Sequence, residues 1–483
     1  MSKKITIDPV TRVEGHGKVT IHLDDQGIVE ESRLHIVEFR GFEKFVQGRP
    51  YWEAPVVVQR LCGICPVSHH LCSAKAIDEI VGISQEYLTP VAIKMRRLMH
   101  YGQVLQSHAL HFFYLASPDL LLGIESDPIR RNIVGVALDY PNLAKKGILL
   151  RKFGQEIIKV TAGKKIHGIS AVPGGIHKNL SLEEKQLFFQ GNDIPSIAEV
   201  IQWALETLDF YIDYHKKNLQ WINSFANFES NYLSLVRKDG AMDLYHGVLR
   251  AIDCNGKPLL NDVDYHDYVD LFAEDVKEWS YMKFPFLKKL GVDNGWSRVG
   301  PLARINTCDF IPTPLAQKAL EYFRSFNGSD ICHQTLSYHW ARLIEILHCA
   351  EVIQDLLHDP DLQNDNLIVK GKRAPLGIGF LEAPRGTLIH HFEVDDKSSI
   401  TKCNLIVSTT HNNQAMNLAV KSVANQYLNQ IPSKITEGML NHIEVAIRAY
   451  DPCLSCATHA IGDMPLIASL FDSKGILLDE AHK

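Results

Sequence analysis

Two Cys-x-x-Cys pairs, far apart in the chain, constrain its fold more than any other feature. The first pair is Cys62 and Cys65, and the second is Cys453 and Cys456. Together they supply four sulfur ligands, which suit a soft metal centre. A small zinc ribbon keeps its pairs roughly 12 to 20 residues apart, whereas most of this chain separates these two. The pairs can therefore meet only after a whole domain has folded, and a shared metal would lie in its core.

The composition indicates a large globular protein. Of 483 residues, 46% are hydrophobic and the net charge is −6. Length alone predicts about three domains, but no Gly/Ser-rich or Pro-rich linker and no repeat divides the chain, so we predict one large domain over residues 1–459. The charge gives no basic surface for nucleic acid. The absence of a leader peptide and of a long apolar run predicts a cytoplasmic protein without a membrane span, and ten cysteines are too few for a disulfide scaffold.

The hydrophobic pattern predicts an α+β fold that is mostly helical. We expect a central bundle of long helices with small antiparallel sheets at its periphery. The N-terminal β region is predicted at 3–47, a peripheral lobe of short strands at 236–310, and a pair of strands around a turn at 371–394. Long helices are predicted at 86–116, 195–235, 334–358, 412–429 and 433–449, the last leading directly into the second cysteine pair.

The residues around both cysteine pairs resemble the terminal metal-binding motifs of the large subunit of nickel–iron hydrogenases. Further matching segments run from Asp8 to His16, from Arg40 to Glu43 and from Glu382 to Gly386. They follow the order of the family and extend to His459, so the resemblance covers nearly the whole chain. It is greatest to the soluble, bidirectional, NAD-linked branch. It implies the large-subunit fold and the reversible heterolytic cleavage of H2.

The resemblance implies that the four cysteines bind nickel. Cys65 and Cys456 would bridge to an iron that carries one CO and two cyanide ligands, and Cys62 and Cys453 would be terminal ligands of nickel. Soft thiolates suit both metals.

Two residues are implied as proton acceptors, namely Cys453 and Glu14. A carboxyl group within hydrogen-bond reach of a terminal thiolate can carry a proton outward. Without the matching motif, Glu14 would more simply be a structural carboxylate paired with a cation such as Arg12.

Four further side chains are implied to act around the metals. Arg385 would suspend its rigid, permanently charged guanidinium over the open metal position. Asp119 and Asp451 would orient it, and His69 would donate a hydrogen bond to a bridging sulfur. Each of the four could instead be an ordinary salt-bridge or capping residue.

Two more groups complete the implied cofactor set. Thr409 and Pro384 would contact the diatomic ligands. Glu43, the carbonyl of Leu405 and His459 would hold a magnesium ion, since oxygen ligands suit a hard cation.

Residues 460–483 extend beyond His459, where mature members of the family end. The resemblance implies that an endoprotease removes this extension after a maturation chaperone has assisted nickel insertion. The alternative is a permanent terminal helix.

The chain has neither a second cysteine cluster motif nor a nucleotide-binding glycine fingerprint. The resemblance therefore implies a small subunit with Fe–S clusters and diaphorase subunits with FMN that reduce NAD+. The alternatives are an F420-, sulfur- or sensor-type hydrogenase, a metal-free subunit like that of respiratory complex I, and a structural zinc protein.

Overall fold

A three-stranded sheet at the N terminus leads into a bundle of long helices. The computed structural model describes residues 3–38, 41–429, 435–458, 467–471 and 477–482. The α-helices are α1 (Phe42–Phe45), α2 (Ala54–Val58), α3 (Pro66–Ile80), α4 (Pro90–Leu110), α5 (Ser117–Leu122), α6 (Ile133–Asp139), α7 (Pro141–Ala162), α8 (Leu182–Gln190), α9 (Ile197–Lys217), α10 (Leu219–Ser224), α11 (Tyr268–Leu271), α12 (Gly291–Asn294), α13 (Pro301–Thr307), α14 (Pro314–Asn327), α15 (Ser337–His358), α16 (Ser408–His411), α17 (Asn413–Leu428), α18 (Glu437–Ala449) and α19 (Leu454–Ala457). The strands are β1 (Lys3–Ile7), β2 (Gly17–Leu23), β3 (Val29–Ile36), β4 (Ala171–Val172), β5 (Gly175–Ile176), β6 (Asn231–Val236), β7 (Val248–Ile252), β8 (Pro258–Val263), β9 (Phe272–Asp275), β10 (Phe284–Leu287), β11 (Ser297–Arg298), β12 (Leu376–Ala383), β13 (Gly386–Val394), β14 (Ile400–Ile406), β15 (Ile467–Phe471) and β16 (Leu477–His482).

The N-terminal sheet is an antiparallel meander in the order β1-β2-β3. Its alternating pattern places Ile21 and Leu34 on the buried face, and Ile5 pairs with Ile21 in register. The predicted β region is confirmed as far as Ile36. Beyond it the prediction is wrong, because residues 42–45 form the short helix α1.

Long helices form the centre of the molecule, with α4 packed against α7 and α15, and α15 packed against α9. Helix α4 begins where the sequence indicates, because the Thr89 side chain accepts a hydrogen bond from the Ala92 amide and Pro90 suits the first turn. It continues as a π-helix over His111–Ala116. The helix predicted at 195–235 is wrong at its end, where residues 231–236 pair with β7 as strand β6.

Helix α3 and the sheet β12-β13-β14 together position the first cysteine pair. Cys65 is the residue before Pro66, at the N terminus of α3. The helix lies on β12, where Gly379 allows a very close approach, since a Cβ atom there would be 1.9 Å from the Cys72 carbonyl oxygen. The two strands predicted around the turn at Pro384 are confirmed as β12 and β13.

The region predicted as a peripheral lobe contributes a mixed sheet in the order β11-β6-β7-β8. Strand β11 adds a short parallel pairing to β6, while β6-β7 and β7-β8 are antiparallel, as the prediction of small antiparallel sheets requires. Leu235 and Leu249 share one buried cluster with Phe380 and Ile389 of β12 and β13. The lobe is therefore joined to the sheet that supports α3.

Helix α18 ends at Ala449, and the chain turns through Asp451, whose φ of +53° is uncommon for a residue other than glycine, to reach Cys453. His459 lies outside the described residues, as does the segment 460–466. The described parts of the extension form the antiparallel pair β15-β16, so a terminal helix is wrong for those parts. Among the helices of the described ranges, none has the length and hydropathy needed to cross a membrane.

Candidate metal centre

The two cysteine pairs are held at the ends of short, well-anchored elements. Cys62 follows a 3-10 helix over Gln59–Leu61, and Cys453 and Cys456 lie at and within α19. The backbone amides of Ile64 and Cys65 point at the Cys62 sulfur, with N–S distances of 3.2 and 3.0 Å. The first pair therefore presents its sulfurs to a single point.

All four sulfurs meet at that point, as the sequence predicted. The Sγ–Sγ distances are 2.9 Å for Cys62–Cys65, 3.4 Å for Cys62–Cys453 and 3.8 Å for Cys65–Cys456, and all four atoms lie within 4.8 Å of one another. The thiols are free and buried. Within the described ranges, this is the one group of three or more His, Cys, Asp or Glu side chains placed to hold a metal ion.

The electrostatics of the cluster favour a bound cation. Hydrogen bonds from Cys453, Cys456 and Cys62 hold the pKa of Cys65 well below its ordinary value. Burial raises the pKa of Cys453 and of Cys456 well above the ordinary value. Ionisation of these buried thiols therefore needs positive charge close by, and a bound metal ion supplies it.

Three side chains that the sequence did not indicate hold the first pair in place. Gln103 and Gln106, both on α4, each donate a hydrogen bond to the carbonyl of Ile64, at 2.8 and 3.0 Å. His167 donates to the carbonyl of Cys62 at 2.9 Å. No local motif marks these residues, because their roles depend on how α4 and the loop after α7 pack against the cysteine loop.

Glu14 lies where the resemblance placed it. Its Oε2 atom accepts a hydrogen bond from the Cys453 thiol at 2.9 Å and from the Ser455 amide at 3.1 Å. Its carbonyl accepts from the Leu454 amide at 2.9 Å, and Glu14 and Cys453 form a parallel β-bridge. The N-terminal segment is itself fixed on α18, where Glu444 accepts from the Thr11 amide at 2.7 Å.

Arg385 is buried beside the cluster and paired with Asp451. Its Nε donates to the Asp451 carbonyl at 2.5 Å and its Nη2 to Asp451 Oδ1 at 3.0 Å. Although burial opposes the charge, Asp451 and the sulfurs raise the pKa of Arg385 well above its ordinary value. Burial raises the pKa of Asp451 to about 6, against the opposing effect of Arg385 and Arg342.

Asp119 does not orient Arg385, so that expectation is wrong. Its carboxylate binds Arg12 at 2.5 Å and Arg448 at 2.9 Å; burial opposes its charge, but Arg448 and Arg12 keep its pKa below the ordinary value. The second neighbour of the Arg385 guanidinium is instead Ser107 on α4, with a long Nη1–Oγ distance of 3.5 Å. Asp119 therefore fixes the N-terminal segment to α18.

A small cavity adjoins the sulfurs and contains the other predicted contacts. It is lined by Cys65, Cys453 and Cys456 together with residues that include Pro384, Arg385 and Thr409. The Thr409 hydroxyl accepts from the Cys453 amide at 3.0 Å, so its own proton is free to point elsewhere. A larger cavity, of about 730 Å³, lies between β7, β8 and residues 306–331 and contains none of these residues.

His69 lies between the cluster and a second histidine. The pKa of Cys65 is lowered chiefly by the other three cysteines, and His69 adds a smaller lowering. Its Nδ1 is 3.2 Å from Nε2 of His390, and His390 Nδ1 is 2.8 Å from the Ser73 hydroxyl. The bridging role that the resemblance implies for Cys65 stays a prediction.

Of the three expected magnesium ligands, two are adjacent. Glu43 Oε1 accepts from the Leu405 amide at 2.8 Å, and burial raises the pKa of Glu43, against the opposing effect of Lys283. The contact seen is with the Leu405 amide and not with its carbonyl. His459 lies outside the described residues.

Comparison with known proteins shows which family has this arrangement. The family model described as "Nickel-dependent hydrogenase" matches residues 40–124 and 253–459, and one described as "HoxL-like" matches residues 4–39. The beta subunit of the NAD-reducing hydrogenase HoxS of Cupriavidus necator is 53% identical, over 99% of each chain. A chain of the F420-non-reducing hydrogenase of Methanothermobacter thermautotrophicus is 44% identical over 98% of this chain and 99% of its own.

Solved structures agree with these relatives. An NAD+-reducing nickel–iron hydrogenase in the H2-reduced state is 56% identical with a TM-score of 0.91, over 95% of this chain and 99% of its own. A Ni-Fe-Se hydrogenase from D. vulgaris Hildenborough has a TM-score of 0.75 at 23% identity, over 95% of this chain and 100% of its own. The latter likeness concerns the fold alone.

Proposed function

Because this chain belongs to the nickel-dependent hydrogenase family and is a hydrogenase catalytic subunit, we propose that it cleaves H2 reversibly and that the electrons reduce NAD+. The observation that carries the proposal is the convergence of four buried sulfurs within 4.8 Å, with the Glu14 carboxylate 2.9 Å from one of them. The catalytic domain is proposed to comprise residues 1–459.

The residues present fit a nickel–iron centre with one CO and two cyanide ligands. Cys62, Cys65, Cys453 and Cys456 would hold the nickel, and Cys65 and Cys456 would also hold the iron. Three of the four cysteines, Cys65, Cys453 and Cys456, line the cavity in which the iron and its ligands would lie. When bound, the centre supplies the heterolytic cleavage of H2. Thr409 and Pro384 would surround the diatomic ligands, with the Thr409 hydroxyl available to donate.

Glu14 and Cys453 would receive and carry the proton. The Sγ–Oε2 distance of 2.9 Å is within direct transfer reach, and general acid–base catalysis requires this proximity. The Ser455 amide, which donates to the same oxygen, keeps that oxygen facing the thiol. Glu14 thereby has a defined orientation and not merely proximity.

Arg385 would place its fixed positive charge in the wall of the cavity that the sulfurs also line. Asp451 holds two of its nitrogen atoms, so the guanidinium has a defined plane and direction. A preorganised charge stabilises charge separation without reorganisation. His69 would tune the basicity of the Cys65 sulfur through its hydrogen bond.

We propose that electrons leave near Gly63 and Ile64, the two residues between Cys62 and Cys65. Gly63, between the two metal-binding cysteines, is exposed, and Ile64 is half-buried. A small subunit with Fe–S clusters that covers Gly63 would contact the loop that carries Cys62 and Cys65. We propose that diaphorase subunits with FMN would then reduce NAD+. The Cupriavidus relative and the solved relative are both named as NAD-reducing hydrogenases.

We further propose a magnesium ion near Glu43 and Leu405 with His459 as a ligand, and maturation by a chaperone and an endoprotease that removes residues 460–483. The resemblance of the second cysteine motif to the motif at which mature members of the family end supports this maturation step. The enzyme would act in the cytoplasm, where NAD+ is its acceptor.

Infrared spectroscopy of the purified complex, combined with H2-dependent NAD+ reduction, tests the proposal. We expect CO and cyanide stretches together with nickel and iron in the complex. Zinc without those bands, or no metal, would contradict the hydrogen chemistry. Bands with reduction of a dye but not of NAD+ would retain the hydrogenase and reject the NAD linkage, as an F420-, sulfur- or sensor-type assembly would behave.

A further inference from the structure

We propose that Arg304 is a positioning residue for catalysis: it clamps the backbone that carries Arg385 and thereby fixes the guanidinium beside the sulfur cluster. The inference rests on the proposed hydrogen chemistry. Arg304 lies on α13, outside every motif that carried the resemblance, and it does not line the cavity next to the sulfurs.

Arg304 uses its whole guanidinium in this clamp. Nε and Nη2 bind the two oxygens of Glu345, both at 2.6 Å, and Nη1 binds Glu382 Oε2 at 2.8 Å. The remaining two hydrogen bonds go to the main chain, from Nη1 to the carbonyl of Ala383 at 3.0 Å and from Nη2 to that of Pro384 at 3.2 Å. These carbonyls belong to the two residues that immediately precede Arg385.

The clamp is rigid because its carboxylates are themselves held. Glu345 also binds His108 of α4 at 2.8 Å, and Arg304 keeps the pKa of Glu345 at about 2 in spite of burial. Glu382 Oε1 accepts from the Leu235 amide at 2.9 Å and from the Thr387 hydroxyl at 2.7 Å. Arg304, Glu345, Glu382 and His108 are at most 1% exposed, so water does not compete for these bonds.

The other side of the turn is closed by glycine contacts. Gly386 has a φ of +130°, and a Cβ atom there would lie 2.4 Å from a Val299 methyl group. At Gly300 a Cβ atom would lie 2.8 Å from the Arg385 carbonyl oxygen. The Ser408 hydroxyl donates to the Gly386 carbonyl at 2.6 Å. The turn is therefore fixed between α13 and α16, and Arg304 is the charged residue among the groups that hold it.

The geometry explains why an arginine is needed. Five donors in one plane can satisfy two carboxylates and two carbonyls at once, whereas lysine offers three donors at a single nitrogen. A displacement of about 1 Å in a group that acts on the reacting atoms can lower a rate about 100-fold. Loss of the clamp should therefore reduce turnover through Arg385.

A double-mutant cycle in the purified holo-complex tests this coupling. We expect Arg304→Lys to lower kcat for H2-driven NAD+ reduction about 100-fold per bound nickel, with KM for H2 changed less than about twofold. In an Arg385→Lys background the same substitution should cost less than about threefold. Hydrogen exchange of the amides in the 383–387 turn should become faster in Arg304→Lys.

Arg96→Lys is the matched control. Arg96 is equally buried, binds Asp78, and donates to the carbonyls of Val172 and Gly175, which flank a different turn. The fold-loss in kcat caused by Arg96→Lys should be the same in the unsubstituted and in the Arg385→Lys background. Hydrogen exchange of the amides in the 383–387 turn should not change in Arg96→Lys.

Three results would overturn the inference. The first is that the fold-losses in kcat of Arg304→Lys and Arg385→Lys multiply in the double variant. The second is that hydrogen exchange in the 383–387 turn is unchanged in Arg304→Lys. The third is that the Arg96→Lys complex loads nickel but neither the Arg304→Lys nor the Glu345→Gln complex does, which would assign Arg304 to folding. If only Arg304→Lys fails to load, Glu345→Gln replaces it in the cycle with the same criteria. An inactive unsubstituted complex would contradict the proposed function instead.

Discussion

Replacement of Glu14 by glutamine tests the proposed proton-accepting role of its carboxylate. The substitution keeps the size and the hydrogen-bonding capacity of the side chain, but glutamine cannot take up a proton at neutral pH. The Leu454 amide binds the Glu14 carbonyl, which the change leaves in place. The parallel bridge to Cys453 should therefore persist, and the cluster should still bind its metals.

The expected magnitude follows from the 2.9 Å separation between Cys453 Sγ and Glu14 Oε2. A base in direct contact with the proton donor contributes about 10²- to 10⁴-fold to a rate, equal to about 2.7–5.4 kcal/mol of activation free energy. We expect kcat for H2 oxidation in Glu14→Gln to fall by that factor while KM for H2 stays within about twofold.

The assay is H2-dependent dye reduction by the purified complex, normalised to nickel content. Glu351→Gln provides a matched control. Glu351 is also a buried carboxylate, and it accepts hydrogen bonds from the amides of Leu315 and Ala316 at 2.9 Å each. It therefore caps α14 and does not contact the sulfurs. It should retain the turnover of the unsubstituted complex. A Glu14→Gln complex with normal metal content and a rate within about threefold of the unsubstituted one would refute the proton-transfer role.

Three further outcomes are expected. Cys456→Ser should leave less than about a tenth of the nickel in the purified complex, because a hydroxyl is a poor soft ligand; retention of nickel by elemental analysis would contradict a four-sulfur site. His266 lies between Glu79 and Asp264, at 2.8 and 2.5 Å, which raise its pKa to about 9. The stabilisation by its charge is thus fully present below pH 6.5 and is lost as the pH rises through 9. In denaturant titrations, His266→Gln should therefore lower the free energy of unfolding by about 1 kcal/mol at pH 6 and have no effect at pH 10. The value at pH 6 is small because the side chain is 43% exposed. Gly386→Ala should cost about 2 kcal/mol or more, measured as a lower midpoint of thermal unfolding, and an unchanged midpoint would show that the turn can relax.

The meeting of the thiols and most of the helices could be predicted from sequence because each leaves a local signal. The two Cys-x-x-Cys pairs are short motifs, and α4 and α15 have long periodic patterns with recognisable ends. The segment 231–236 has no such distinction, since its run of apolar residues suits a helix or a strand equally. Pairing with β7 decides in favour of the strand.

Partners of single charged residues could not be predicted in the same way. Asp119 carries no mark that it binds Arg12 and Arg448 and leaves the contact with Arg385 to Ser107. Which carboxylate reaches which cation depends on the packing of α4, α5 and α18, and this packing is a property of the folded chain. The Arg304 clamp was missed for the same reason.

The bridge between Glu14 and Cys453 has a consequence for biosynthesis. During translation the Glu14 carboxylate is made early, and the Cys453 thiol that it contacts follows only after more than four hundred further residues. No nascent chain short of that thiol can therefore contain the complete centre. Insertion of nickel must act on an essentially finished polypeptide, and the early segment has to wait, folded or chaperoned, for its counterpart to arrive.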